Sequence, residues 1–426
     1  MVTNSNINRR DPCPIIPFAA NGVKVSIPCL SIYHPDVVVP MNVTYNISTI
    51  DPATGELSLG ISFLGSYDST VYMSKNSIYV AYAYTGDMTE FFFDFVNTNK
   101  DIFPANVASK IEKLKSYDIS QNAKITEINF LLDEMRSSFN SDDSLAFDNE
   151  MQNRMKAFFA KHKRDIQKTN IVKVGIENFN VDAVGSVPGR LLNQYSMDEY
   201  EGSLRAATTV GEQGFWQFGL GGFFSEPAND LYVLNGKMEK TGEVLDMGTG
   251  ERIYSVRFID DKGYLVTFKQ VDPFFVVDLL DPKDPKLEGE LKIPGYSSYL
   301  HPIEKDKILG VGMDGSSVKL SLFDVSDSKN PNEISKYSLD EYWSDVLNTS
   351  RAFLMDKDNK VFFIPGGKGG YLFSYENNEL KLKKAVSLPN VKRAVYIDKY
   401  LYVIGSDKII VISEDNWERV NELKMQ

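Results

Sequence analysis

Two cysteines, three histidines and three tryptophans are all that 426 residues hold of these types. A zinc centre needs three or four converging ligands, and the chain has neither a paired C-x-x-C nor an H-E-x-x-H. Long apolar runs are missing too; none approaches the roughly 20 residues of a membrane-spanning helix. Positive charge is in deficit, with 46 Lys and Arg against 58 Asp and Glu and a formal charge of −12. That argues against a nucleic-acid partner, because phosphate binding needs clustered cations. No G-x-S-x-G nucleophile elbow occurs. "PGGKGG" (365–370) is no P-loop, since no Ser or Thr follows its Gly-Lys. Nothing in the sequence names a cofactor.

What is present is globular, at 42% hydrophobic and 24% charged residues. The length exceeds one ordinary core unless the fold is built from repeats. "DPFFVVDLLDPKDPKLEG" (272–289) reads as a strand, a turn dense in Asp and Pro, and a second strand. It recurs as "VKLSLFDVSDSKNPNEIS" (318–335), with Asp278 answered by Asp324 46 residues on. Weaker copies stand at 43–59, 170–185, 229–245, 369–385 and 407–423. Most are preceded by another strand pair, as in "IYSVRFIDDKGYLVTF" (253–268). Four short antiparallel strands per roughly 40–50 residues is the pattern of a propeller blade. The expected fold is therefore all-β: a β-propeller of about seven four-stranded antiparallel blades, complete or part of a larger ring. The acidic turns are read as turns rather than a calcium loop, because D-x-x-D-x-x-D lacks the order and terminal Glu of an EF-hand.

Two stretches interrupt the repeat. Residues 101–167 turn helical: Ile125, Ile128, Leu132, Met135 and Phe139 fall on one stripe, and Asp142 or Asp143 suits the N-cap of the last helix. The expected division is first blades over 1–100, a helical insertion over 101–167 projecting from the rim, and remaining blades over 168–426. "GEQGFWQFGLGGFFSEPAND" (211–230) is Gly-rich and aromatic, as in a long inter-strand loop.

Cys13 and Cys29 both lie in the Pro-punctuated segment 11–35. They fit a disulfide that closes a short loop; the competing reading is two free thiols in a cytosolic protein. The disulfide is favoured because no other Cys competes. Sequons at Asn42, Asn46 and Asn348 add a little weight to an extracellular setting. "MVTNSNINRR" has no secretion-signal pattern and reads as the tail of a strand.

Taken together, "VPGRLLNQYSMDEYEGSLRAATT" (187–209), 250–302, "VKLSLFDVSDSKNP" (318–331) and the insertion with "IEKLKSYDIS" and "KRDIQKTNIVKV" resemble the secreted beta-propeller domain family of archaea and bacteria, distantly related to WD40 propellers. The resemblance spans nearly the whole chain. It implies export, a propeller and no assigned biochemical activity. It also implies a signal or anchor and further strands upstream of this chain.

Candidate site residues are few. His301, with Arg257, Arg351 and Arg393 on candidate inner strands or their approaches, fits a ligand site near the channel; the competing reading is four separately satisfied polar groups. Asp198 and Glu199 are paired carboxylates, but neighbours on a strand point to opposite faces. The aromatic loop around Phe215, Trp216, Phe218, Phe223 and Phe224 suits either a recognition surface or a local plug. The expected function is an extracellular or cell-envelope binding scaffold for a protein or glycan partner. The alternative is a metal-dependent or hydrolytic enzyme with its site at the channel mouth.

Overall fold

The computed structural model describes residues 2–7, 10, 14–16, 19–20, 23–24, 26–34, 42–65, 69–211, 226–268 and 272–425. The chain divides into two compact units, residues 1–250 and 251–426.

Unit 251–426 holds four sheets, each a meander of four consecutive antiparallel strands. Blade 4 is Arg252–Ile259, Lys262–Phe268, Asp272–Asp278 and Lys286–Ile293; blade 5 is Tyr296–Glu304, Lys307–Asp314, Ser317–Asp324 and Asn332–Leu339. Blade 6 is Leu354–Asp356, Val361–Pro365, Gly369–Ser374 and Lys381–Ser387; blade 7 is Arg393–Ile397, Tyr400–Ile404, Lys408–Ser413 and Arg419–Lys424. The second and third strands of blades 4 to 6 are largely buried, those of blade 7 only in part, and the fourth strand is mostly exposed. The middle strands are covered on both faces, so their sequences run apolar; the fourth strand bounds the sheet and alternates.

Alternate side chains of one strand serve different neighbours. From blade 5, Leu300, Ile308 and Phe323 pack with Tyr264, Val266, Phe274 and Val276 of blade 4. Leu309, Val311, Leu320 and Leu322 pack instead with Phe362, Ile364 and Phe373 of blade 6. Val361, Phe363 and Leu372 then meet Leu401, Val403, Ile410 and Ile412 of blade 7. Stacked rings reinforce this packing: Phe274 lies on Phe323 across the seam of blades 4 and 5 at 4.6 Å, and Phe362 lies on Phe373 within blade 6 at 5.5 Å. Such pairs contribute about 0.5–1.5 kcal/mol beyond their buried area.

Unit 1–250 repeats the plan. In blade 1, Val2–Asn6 pairs Val43–Ile50, which pairs Leu57–Gly65, and Ile32–Tyr33 adds a parallel edge. Blade 2 is Thr70–Met73, Ser77–Thr85, Gln167–Gly175 and Val181–Pro188. Blade 3 is Ser203–Val210, Ala228–Leu234 and Lys240–Met247, with a first strand split into Arg190–Leu191 and Met197–Tyr200. Ile78, Val80 and Tyr82 face Ile47 and Phe63 of blade 1, whereas Tyr79 and Ala81 face Leu204, Ala206 and Tyr232 of blade 3. The chain is a β-propeller, and among the described residues it shows seven blades and four α-helices. All seven expected hairpins are present.

The acidic turns behave as turns. The Asp278 carboxylate accepts from the Leu280 N–H at 3.2 Å and from Lys262 Nζ at 2.7 Å, and Asp281 accepts from the Lys283 N–H at 2.9 Å. Asp324 does the same with the Ser326 N–H at 2.9 Å. Each caps its own backbone, as short acidic side chains do. Among the described residues no three His, Cys, Asp or Glu groups are placed to hold a metal ion.

The helical insertion starts earlier than expected, at Met88 rather than 101. Its helices are α1 (Met88–Thr98), α2 (Ala105–Lys115), α3 (Gln121–Ser137) and α4 (Ser141–Ile166). The run "EFFFDFV" in α1 reads locally as a strand, but Phe92, Phe93, Phe95 and Val96 are the buried stripe against α2–α4. The N-cap of α4 is Asn140, which accepts from the Asp143 N–H at 2.8 Å. Asp142 and Asp143, expected as caps, lie in the first turn instead, where their charge suits the helix dipole. The insertion replaces a hairpin turn: Thr85 pairs with Gln167 in the ladder, and the Gly86 N–H donates to Ile166 O at 2.7 Å. Its core contains only residues of the insertion. None of these helices is long and apolar enough to cross a membrane.

One latch ties α4 to blade 3. Arg164 donates from Nε to Asp230 Oδ2 at 2.8 Å and from a terminal nitrogen to Oδ1 at 2.9 Å. Tyr232 Oη and the Asp246 N–H also donate to Asp230, which is fully buried, at 2.7 and 2.9 Å. Burial, reinforced by Asp230, raises the Tyr232 pKa and keeps its hydroxyl a donor. Removing one partner of a buried ion pair typically costs about 3–5 kcal/mol. Arg164→Ala is therefore expected to destabilise unit 1–250 on that scale in urea unfolding. Replacing 87–165 by a two-residue turn should preserve the β signal in circular dichroism, and Asp230→Asn should stabilise that deletion while weakening the intact protein. Collapse of the β signal in both deletion variants would show that the helices are needed for the blades.

Candidate functional site

His301 lies on Tyr296–Glu304 with its ring against Phe353 at 4.5 Å and Tyr299 at 5.9 Å. The Tyr299 hydroxyl and His301 Nδ1 share a hydrogen bond of 2.8 Å. Period-2 alternation puts Tyr299 and His301 on one face, and that face meets the residue leading into blade 6. Burial first, then the nearby positive charges of Arg257 and Lys357, lower the His301 pKa to about 4. The ring is neutral and packs at a tilt against Phe353.

The structure groups the expected site residues in pairs. Arg257 is close enough to act on His301. Arg351 sits in the short turn Ser350–Ala352, which rests on the strand that Arg393 opens, and both arginines are exposed. Phe353 ends that turn and so connects its position to the His301 ring, 4.5 Å away. Trp216 and Phe218, with the rest of the aromatic loop, lie outside the described residues. Cys13 does too, and with it the expected bond to Cys29. Asp198 and Glu199 diverge as strand geometry requires. Asp198 pairs with Arg205, Nε to Oδ2 at 3.1 Å, while Glu199 accepts from Ser74 Oγ of blade 2. Of the sequons, Asn46 is fully buried and hydrogen-bonded to Ser62 at 2.9 Å, whereas Asn348 is exposed.

A second constellation was not expected. The segment "DEYWSD" (340–345) leaves the last strand of blade 5 and runs over the "PGGKGG" turn of blade 6. Glu341 is 2% exposed. Its Oε1 accepts from the Lys368 N–H at 2.8 Å and from Tyr371 Oη at 2.6 Å. Its backbone is held as well, the carbonyl accepting from the Val318 N–H at 2.7 Å. Gly366 is obligatory here, because a Cβ would stand 2.7 Å from Oε1. Ser344 Oγ donates to Pro365 O at 2.6 Å, closing the segment onto the turn. Tyr342 and Trp343 between these anchors are 73% and 36% exposed. Sequence signals for this site existed only as its halves, a glycine-rich turn and an acidic aromatic run.

A family model described as Beta propeller domain matches residues 2–416. An uncharacterised protein of Archaeoglobus fulgidus is 48% identical over 427 residues, taking in 100% of this chain and 66% of its own length. An uncharacterised protein of Methanocaldococcus jannaschii is 38% identical over 387 residues, 90% of this chain and 61% of its own length. The chain thus spans just under two thirds of these curated relatives. Among solved structures, apo AztD from Citrobacter koseri has a TM-score of 0.41 and 14% identity, covering 61% of this chain and 69% of that one. The C-terminal WD40 domain of Sif2 has a TM-score of 0.38 and 10% identity, covering 62% of this chain and 67% of that one.

The buried His301 ring carries a pH signature. The folded protein holds this ring neutral down to about pH 4, whereas an unfolded histidine takes a proton below about 6.5. The unfolded state therefore binds more protons between those values, and stability is lost as pH falls through that window. The stability difference between wild type and His301→Gln is expected to shrink by about 1–2 kcal/mol from pH 7 to pH 5. Parallel pH profiles in urea unfolding would refute it.

Proposed function

The chain belongs to the Beta propeller domain family, and from that premise we propose that it is a binding scaffold of the cell envelope that holds a protein partner on loops between its blades. The observation that carries this reading is the 340–345 segment. Two exposed aromatic side chains sit between buried anchors, Glu341 on one side and Ser344 on the other. Exposed aromatics on a preorganised segment lose little entropy on binding, which is why Tyr and Trp serve as interface anchors. The blade strands themselves are occupied with packing, so recognition falls to the loops.

An oxidising compartment is part of the proposal. Ile15 and Ile27 exchange both backbone hydrogen bonds, at 3.0 and 2.8 Å, as one antiparallel pair. What supports a disulfide is the sequence: Cys13 and Cys29 are the two cysteines of the chain and lie in one Pro-punctuated segment.

Two measurements test these parts separately. Arrays of defined peptides and oligosaccharides should yield saturable binding that Tyr342→Ala with Trp343→Ala removes at an unchanged thermal midpoint. Undiminished binding by that double variant rejects the surface. Non-reducing mass mapping should recover Cys13 and Cys29 in one linked peptide pair, and two free thiols in protein purified without reductant reject the compartment.

A further inference from the structure

The fold treats the three Asn-x-Ser/Thr sequons, at Asn42, Asn46 and Asn348, differently. Asn46 lies inside the blade 1 ladder, paired with Thr3 on one side and Ser62 on the other. Its side chain is fully buried, Nδ2 included, and the hydroxyl two residues on, Ser48, is buried as well. Asn42 is half-buried at the start of the same strand. Its N–H donates to Gly65 O at 3.1 Å, and its carbonyl accepts from the Ile7 N–H at 2.9 Å. The hydroxyl of its sequon, Thr44, is fully buried. Presenting either Asn together with its hydroxyl would mean pulling Val43–Ile50 out of the sheet.

Asn348 is placed otherwise. It stands in the connection from blade 5 to blade 6, between the short turns Asp345–Leu347 and Ser350–Ala352. It is exposed, and its side chain makes no hydrogen bond among the described residues. Thr349 is exposed too, and Ser350 is half-buried. The backbone here belongs to no ladder. Local turn bonds hold it: the Asn348 and Thr349 N–H groups donate to Asp345 O at 3.1 and 2.9 Å. Val346 and Ala352, both buried, anchor the two flanks. Drawing 348–350 into an enzyme cleft therefore releases turn bonds and leaves every blade intact. A glycan is bulky and hydrated, so it is tolerated on such a turn and not between strands.

We infer that Asn348 is an N-linked glycosylation site, and that the two sequons of blade 1 stay bare. The inference rests on the cell-envelope reading and adds a covalent modification to it. The donor is a lipid-linked oligosaccharide activated through phosphate, brought to the chain by an external transferase that reads the Ser350 hydroxyl. Asn348 Nδ2 forms a bond to the anomeric carbon of the sugar. The bond from that carbon to the phosphate oxygen breaks, and the lipid phosphate leaves with the electron pair and takes up the displaced amide proton. Nothing is oxidised or reduced.

The test is peptide mapping by mass spectrometry on the full chain, recovered without reductant from cells that naturally make it. Trypsin releases 337–351 as one peptide that contains Asn348. This peptide is expected to carry an addition of whole sugar units on Asn348, and the peptide with Asn42 and Asn46 to appear at its bare mass. Made in the same cells, Asn348→Gln and Ser350→Ala should each lose the addition, whereas Ser350→Thr should keep it. Bare Asn348 in a chain whose Cys13 and Cys29 are linked overturns the site and leaves the compartment standing. Bare Asn348 with two free thiols overturns both. Sugar on Asn42 or Asn46 of the folded protein, or an addition to 337–351 that survives Asn348→Gln or Ser350→Ala, would equally overturn the inference.

Discussion

A blade in this protein has no interior of its own. It is one sheet thick, and its middle strands are apolar on both faces, so each face must be covered by a neighbour. Ser77–Thr85 shows the rule within a single strand: Ile78, Val80 and Tyr82 belong to the seam with blade 1, and Tyr79 and Ala81 to the seam with blade 3. Stability is thereby shared between neighbours rather than concentrated. The loops, which contribute little to the seams, are free to differ.

That freedom explains how helices fit into blade 2 without disturbing its ladder. They enter and leave at paired positions, Thr85 and Gln167, and fill their own core. The attachment is not neutral, however. Asp230 lies in the middle of Ala228–Leu234, a strand buried along its whole length. A carboxylate there is costly without a cation, and Arg164 arrives from α4 with a bidentate grip beside the donors Tyr232 and the Asp246 N–H. Blade 3 is stabilised by the insertion through Asp230 while its strands pair on their own.

The legibility of the sequence tracks the range of the interactions. Hairpins were readable because Asp278, Asp281 and Asp324 cap turns within two or three residues of themselves. Helices α2–α4 were readable from their apolar stripe, and only boundaries and caps shifted. Helix α1 was not, because four phenylalanines in five residues (91–95) suit a strand as well as a helix until their packing partners are known. The site was less legible than the fold. His301 stood out by rarity, yet its environment is set by Phe353 from the next blade. Glu341 did not stand out at all. Its burial is created by a glycine turn about 25 residues away, and neither half of the pair carries a periodic signal.

Charge makes the same point at the level of the whole surface. The chain is acidic overall, but many exposed carboxylates have a lysine close by: Asp284 with Lys286, Glu304 with Lys307, Asp314 with Lys336. Such exposed pairs contribute little each, and salt screens them further. They shape solubility more than recognition. A buried carboxyl oxygen has no such screening and no substitute partner in water, so its energy depends strongly on whether a donor reaches it. Net charge is therefore no guide to a site here, because the exposed carboxylates that make it up are screened and paired.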